Sequence, residues 1–432
     1  MQKVSTENGA TQVVKIRQSD NVRKAYTFSE SKRLWQEAQQ LIPGGSQGTR
    51  SPMYPDFPNY FSRAKGCRMW DVDGNEFIDL LCSIGPIILG YAYDRVDNAV
   101  KTVIDNSFQS SGNHPVQLEL SKLLIELIPC AERVRFLKTG TEATMAAARL
   151  ARHITGRTNI AHCGYHGWTD MWRRGYGVDN SCGVHKGTWE PILPFNGTAE
   201  SLEELFKKTT EKFAAVFLCP VDTKPFTKEN YQNIVDVAHK HGALVIFDEI
   251  KSGFRTALGG AQELLGVTPD ITTLSKGLGN GYPIAAVVGK AEYMEGMTKT
   301  PTIGTFSVEA LSITAALATL KELKEKNVVE HLWRVGQRLI DGLNQICRDY
   351  NMDGPVAFAD PVPSIFRFTW DPKMGNNCTH PAHNYFFGEC IRYGLFFSNW
   401  HVGFVNYSHS NKDIDEALDI CDFVMAKTKR KF

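Results

Sequence analysis

The stretch FAAVFLCPVDTKPFTKENYQNIVDVAHKHGALVIFD, residues 213–248, decides the fold class. Phe213 to Cys219 is a short, nearly continuous apolar run closed by Pro220, the pattern of a strand buried on both faces. Glu229 to His241 then carries Tyr231, Ile234, Val235 and Ala238 at helical spacing, and Gly242 stands where a helix-ending glycine belongs. Ala243 to Phe247 is a second apolar run. Strand, helix and strand in this order form a crossover unit of a parallel sheet, on which ligands collect at the carboxyl ends of the strands. Asp248 falls at such an end, although an acid there often only caps a turn.

Outward from this unit the alternation continues. Ile271 to Leu274 and Ile284 to Val288 read as further strands, followed by a helix from about Val308 to Glu325. Upstream, a strand ending at Leu137 turns through Gly140-Thr141 into an Ala-rich helix that stops near Gly156, and Asn159 to His162 is the next strand. Ser29 to Leu41 has helical spacing and stops at Pro43-Gly44-Gly45, and Cys67 to Asp79 looks like two short strands about Asp73-Gly74-Asn75. The chain has 432 residues, above the roughly 250–300 at which a single core stops growing. We therefore expect an α/β protein: a flexible extension over 1–27, the N-terminal part of a small domain over 28–80, a large domain over 81–325 and the C-terminal part of the small domain over 326–432. The large domain should hold a mostly parallel sheet flanked by helices, and the small one a mixture of helix and strand.

Composition excludes several function classes. The formal net charge of +1 gives no field suited to nucleic acid. The ten cysteines include no C-x-x-C pair, so neither a zinc framework nor a disulfide scaffold is expected. No apolar run approaches a membrane span, Met1 to Asn21 lacks the apolar core of a signal peptide, and a reducing cytoplasm is the expected compartment.

Four short segments carry chemistry. Lys276 ends the strand of Thr272-Thr273-Leu274 and enters the glycine-rich loop Gly277-Leu278-Gly279-Asn280-Gly281. Partial burial there lowers an amine's pKa, and only the neutral amine condenses with an aldehyde; an exposed loop lysine is the plain alternative. Asp248 is the second. Gly140 and Thr141 open a helix whose first-turn amides make an anion cradle, though a threonine there also serves as an ordinary cap. In Gly164-Tyr165-His166-Gly167 a flat ring between glycines is suited to stacking on a heteroaromatic molecule. His162 and His166 flank Cys163 without any partner pair elsewhere, so no metal is expected.

Together these segments resemble the class III, fold-type I, pyridoxal-phosphate (PLP) aminotransferases, most closely the branch containing glutamate-1-semialdehyde aminomutase. The resemblance spans about residues 30 to 425 and is strongest over Leu137 to Gly167 and Val245 to Gly289. It implies PLP as cofactor, Lys276 as its Schiff-base lysine and proton carrier, and Asp248 as partner of the pyridine nitrogen. It further implies phosphate binding by Gly140 and Thr141, ring stacking by Tyr165 with His166 beside it, and a homodimer in which Thr305 reaches the neighbouring subunit's phosphate. Ser83 lies in the segment resembling the substrate-side loop, and Arg50 near the family's substrate-carboxylate arginine.

The sequence departs from the family where substrate would bind. Cys219-Pro220 replaces a common Glu-Pro, Lys224 stands about where relatives place Asn or Glu, and His401 occupies a common Glu position. The expected reaction is therefore amino transfer between a donor and a small aldehyde or ketone, a sugar or cyclitol among them. An intramolecular aminomutase or a PLP-dependent epimerase is the alternative. Trp168, Trp172, Arg173, Arg174, Tyr176 and Trp189 are candidates for lining the entrance.

Overall fold

The structure, a computed structural model, describes residues 23–47, 60–106, 108–172, 183–373 and 378–432. After a first helix, Ser29–Leu41, come three short strands: β1 (Phe61–Lys65), β2 (Arg68–Asp71) and β3 (Glu76–Asp79). Seven more form the central sheet: β4 (Arg133–Leu137), β5 (Asn159–Cys163), β6 (Ile192–Pro194), β7 (Phe213–Leu218), β8 (Leu244–Asp248), β9 (Ile271–Leu274) and β10 (Ala285–Gly289). The chain closes with β11 (Val356–Ala359), β12 (Ile365–Thr369), β13 (Leu395–Phe396) and β14 (Gly403–Phe404) among helices.

The central order is β4-β10-β9-β8-β7-β5-β6. The crossover unit over 213–248 forms as the apolar spacing predicts: β7 pairs parallel with β8, the intervening helix is Lys228–Lys240, and Gly242 takes φ +69° just past it. β10 differs from its neighbours, running antiparallel to both β9 and β4. Its partners on either side therefore point the same way as the other parallel strands.

Both faces of this sheet are covered, which is why β7 and β10 are apolar and buried throughout. The helix Gly140–Thr155 lays Ala143, Ala147, Leu150 and Ala151 on one face with Ile160, Phe217 and Ile246. Alanines let that helix approach closely. Ile234, Val235 and Ala238 pack with Val216, Val245 and Phe247 on the other face, each large side chain contributing about 1.5–3 kcal/mol on burial. The ends of the chain meet elsewhere: β13 pairs parallel with β3, Leu395 opposite Ile78, in the sheet β1-β2-β3-β13. Tyr26, which the sequence places in the flexible extension, donates its amide to Arg392 O and its hydroxyl to Glu76 O at 2.8 Å each.

Candidate active site

The carboxyl ends of β4, β5, β7, β8 and β9 open on one edge of the sheet, and the chemically suggestive residues gather there. Asp248 is the last residue of β8 and is buried. Its Oδ1 accepts from the Thr273 hydroxyl and the Ile250 amide, each at 3.2 Å, and its Oδ2 lies 2.8 Å from His166 Nδ1. His166 is held in turn: the Thr144 hydroxyl donates to its carbonyl at 2.7 Å, and its ring packs 4.9 Å from Trp172 and 5.5 Å from Phe217. The Trp172 indole donates to Thr144 Oγ1 at 3.0 Å and is buried, which corrects its assignment to the entrance. Trp168 is the exposed one, at 81 %. Arg173, Arg174 and Tyr176, and the side chain of Trp189, lie outside the described residues.

Lys276 follows β9 by two residues and takes φ +45°, a left-handed conformation costly for a residue with a side chain. The loop that imposes it is well tied. Asn280 Oδ1 accepts from the amides of Ile88 and Leu89, its amide nitrogen donates to Gly90 O, and Ser275 Oγ donates to Ile284 O at 2.7 Å. Burial lowers the Lys276 amine below the usual lysine range and the charge of Lys251 lowers it further, against the opposite pull of Asp248 and Asp222.

At the start of the Gly140–Thr155 helix, Thr139 and Glu142 form a capping box that takes up the amides of Thr139 and Glu142. The amides of Gly140 and Thr141 are the first-turn donors left over. Gly167 approaches so closely that a Cβ on it would stand 2.3 Å from Thr141 Oγ1. A Cβ on Gly140 would stand 2.7 Å from Ile250 Cδ1. Tyr165 is 43 % exposed, and its amide donates to Asp222 Oδ2 at 3.4 Å.

The residues expected on the substrate side are placed less uniformly. Ser83 is exposed within a left-handed turn, Cys82, Ser83 and Ile84 having φ of 49°, 55° and 66°. His401 is brought into electrostatic reach of Lys276, and its imidazole is pushed down to about 3 by burial and by Lys251. Lys224 is exposed and pairs with Asp360 at 3.0 Å. Thr305 is exposed, its carbonyl accepting from Gln109 Nε2 at 3.3 Å. Arg50 lies outside the described residues.

Sequence reasoning missed the charged residues between these. Lys251 Nζ lies 3.3 Å from Asp222 Oδ1, and Arg367 on β12 donates to Asp360 at 3.0 and 3.1 Å. Burial alone would raise the Asp222 carboxyl, but Lys251 and the bonds from Cys219 and the Tyr165 amide bring it down to about 2. Lys251 carried a usable signal, standing three residues past Asp248 in the same strand-end loop. Arg367 carried none, because only the packing of a distant strand brings it here.

An amine of lowered basicity, a carboxylate fixed by three donors, two uncapped helix amides and a glycine pressed against the same helix fit PLP: aldehyde, pyridine nitrogen and phosphate each have a complementary group. The family description Aminotransferase class-III matches residues 50–174 and 181–356. The chain is 35 % identical over 416 residues to a 3-aminobutyryl-CoA aminotransferase of Cloacimonas acidaminovorans, covering 93 % of this chain and 98 % of the relative. It is 36 % identical over 421 residues to a glutamate-1-semialdehyde 2,1-aminomutase of Sulfurihydrogenibium azorense, covering 90 % and 97 %. Among solved structures, the PLP-bound FumI protein of Sphingopyxis sp. MTA144 superposes with a TM-score of 0.86 at 26 % identity, over 93 % of this chain and 97 % of that one. An omega-transaminase of Sphaerobacter thermophilus gives 0.83 at 25 % identity, over 92 % and 97 %. The chain belongs to the class III aminotransferase family and is a PLP-dependent transaminase of fold type I.

Proposed function

We propose that the chain transfers an amino group between a donor amine and a small aldehyde or ketone, with Lys276 as cofactor lysine and proton carrier. The observation that carries this reading is the pairing of β8 with β9, which sets Asp248 opposite Thr273, three residues before Lys276. PLP, when bound, supplies an electron sink that stabilises negative charge at the substrate carbon. Asp248 keeps the pyridine nitrogen protonated, and His166 holds the carboxylate in place. The lowered basicity of Lys276 lets its neutral Nζ take a proton from the substrate carbon and return it elsewhere. Gly140 and Thr141 hold the phosphate, and Tyr165 covers the ring.

The enzyme works in the cytoplasm as a homodimer with shared active sites, and its small domain comprises residues 28–80 and 326–432. Exposed Ile303 and Phe306 beside Thr305 support such an interface, since apolar side chains at 83 % and 66 % exposure are suited to cover by a second copy. The aminomutase relative favours a second reading, an amino shift within one molecule.

Both readings are separated by one experiment. Purified protein with PLP is mixed with single amines while cofactor absorbance is followed, and a carbonyl acceptor is then added. Amine-dependent bleaching that only an acceptor reverses supports transfer between molecules. Turnover of one aminoaldehyde with no acceptor supports the mutase, and absence of bleaching by any amine overturns the proposal.

A further inference from the structure

The segment 81–90, which carries Ser83, is tied down at its start, middle and end. At the end Asn280, in the loop of Lys276, accepts the amides of Ile88 and Leu89 and donates to Gly90 O. In the middle Arg255 donates to the carbonyls of Gly85 and Ile87. At the start stands Asp79, the last residue of β3, fully buried. Its Oδ1 accepts the Leu81 amide at 2.8 Å, and its Oδ2 accepts both the Cys82 amide at 3.0 Å and the Tyr91 hydroxyl at 2.8 Å. The Ser83 amide in turn approaches that hydroxyl.

What these ties hold is strained. Cys82, Ser83 and Ile84 take φ of 49°, 55° and 66° in succession, a left-handed run that side chains disfavour and that persists only where the surroundings impose it. The ties at the end and in the middle keep one charge state: Asn280 does not titrate, and burial leaves the Arg255 guanidinium still basic, at about 10. The groups packed around Asp79 are equally fixed between about pH 5 and pH 8. Burial pushes the thiols of Cys67 on β2 and Cys82 on the turn upward, and the Tyr91 hydroxyl with them, while His409 from the C-terminal segment is pushed down to about 4. Asp79 differs, because burial outweighs its three bonds and raises its carboxyl to about 6. A protonated carboxyl turns one acceptor into a donor where the neighbours are themselves donating, so at least one bond to the turn is given up.

We infer that Asp79 is a positioning residue: ionised, it clasps the left-handed turn in the shape that presents Ser83 to the substrate, and protonated, it lets the turn relax. For its consequence the inference rests on the transaminase reading, since a relaxed turn weakens substrate capture while Lys276 and Asp248 keep their places. On global stability Asp79 has the opposite sign. A carboxyl raised above its ordinary 3.8 favours the fold as pH falls through about 6, so melting does not read the clasp.

Hydrogen exchange of the PLP-loaded protein reads the turn directly. After correction for the intrinsic rate, the amides of Leu81 and Cys82 should exchange about 10- to 100-fold faster below a midpoint near pH 6 than above it, the scale of one lost bond to a charged group. Asp79→Asn, which keeps the shape without the charge, should exchange fast at every pH. Tyr91→Phe removes a donor that favours the ionised form, so its midpoint should move to higher pH, a response that a purely structural carboxylate does not give. In the reaction of the loaded protein with aminooxyacetate, followed by cofactor absorbance, the half-saturating concentration should rise about 10-fold in Asp79→Asn and in the parent at low pH, with the limiting rate changed far less. Exchange independent of pH in the parent, an Asn variant as protected as the parent, or a turn that responds without any change in half-saturation overturns the clasp. If the Asn variant does not fold, the midpoint in Tyr91→Phe decides, and one that stays in place overturns it. A cofactor that gives no lysine-bound absorbance band overturns the function proposed above and leaves the exchange result standing, so the two failures are told apart.

Discussion

His166 Nδ1 and Asp248 Oδ2 meet at 2.8 Å with both side chains sealed from solvent, the histidine 3 % and the aspartate 2 % exposed. The contact fixes the carboxylate plane, and the Thr144 hydroxyl and Trp172 fix the histidine. Replacing Asp248 by Asn keeps the shape and removes the charge; we expect kcat to fall roughly 10²- to 10³-fold. His166→Ala leaves the charge but frees its orientation, for a loss of roughly 10- to 100-fold. Steady-state kinetics on both variants decides this, and an Asn variant as active as the parent removes Asp248 from the chemistry.

Lys251 lowers the basicity of Lys276, while Asp222 raises it. Lys251→Met removes the first and keeps the second, so the Lys276 amine should become more basic. In cofactor-free protein, acylation of Lys276 mapped by mass spectrometry over a pH series should shift to higher pH in the variant. An unchanged profile shows that burial alone sets the amine.

Acid sensitivity should arise from buried histidines. His409 is fully buried and pushed down to about 4, first by burial, against an ordinary 6.5, and the Asn406 amide donates to its Nδ1 at 3.0 Å. A folded-state pKa below the unfolded one means that stability is complete above pH 6.5 and is lost as pH falls toward 4. The loss from this group amounts to ~3 kcal/mol. His401, displaced in the same direction, adds to it. Melting temperatures should decline below pH 6.5 in the parent, and more gently in His409→Asn from its lower starting point; parallel curves would sink the assignment.

Arg255 braces the left-handed turn at Ser83. It is buried, donating to the carbonyls of Gly85, Ile87 and Val405 with its guanidinium 5.0 Å from the Phe404 ring, while Asp79 accepts the amides of Leu81 and Cys82 from the other end. Arg255→Met should cost roughly 2–4 kcal/mol of stability and raise KM more than it lowers kcat, because the turn and not the cofactor pocket relaxes. Urea unfolding and steady-state kinetics test the two parts; an unchanged KM assigns Arg255 to stability alone.

The parts legible in sequence were those whose pattern is local. β7, the helix Lys228–Lys240 and β8 follow from apolar spacing, and Asp248 and Lys276 are conspicuous because they interrupt it at strand ends. The direction of β10 was not legible, since Ala285–Gly289 is apolar throughout and buried strands look alike whichever way they run. Trp172 was misread because an indole in a polar stretch gives no hint of the Thr144 hydroxyl waiting inside. Arg255 depends on contacts across more than a hundred residues of chain, which no local spacing records.

The reversed strand β10 also sets a measure of length. It separates β4, which feeds the helix at Gly140, from β9, which delivers Lys276, by two strand spacings, about 9–10 Å. A lone phosphate at the helix start would sit beyond easy grasp of the lysine. A rigid plate with its anion at one rim and its electrophile at another would span the gap, and the sheet would then gauge the size of the cofactor it admits.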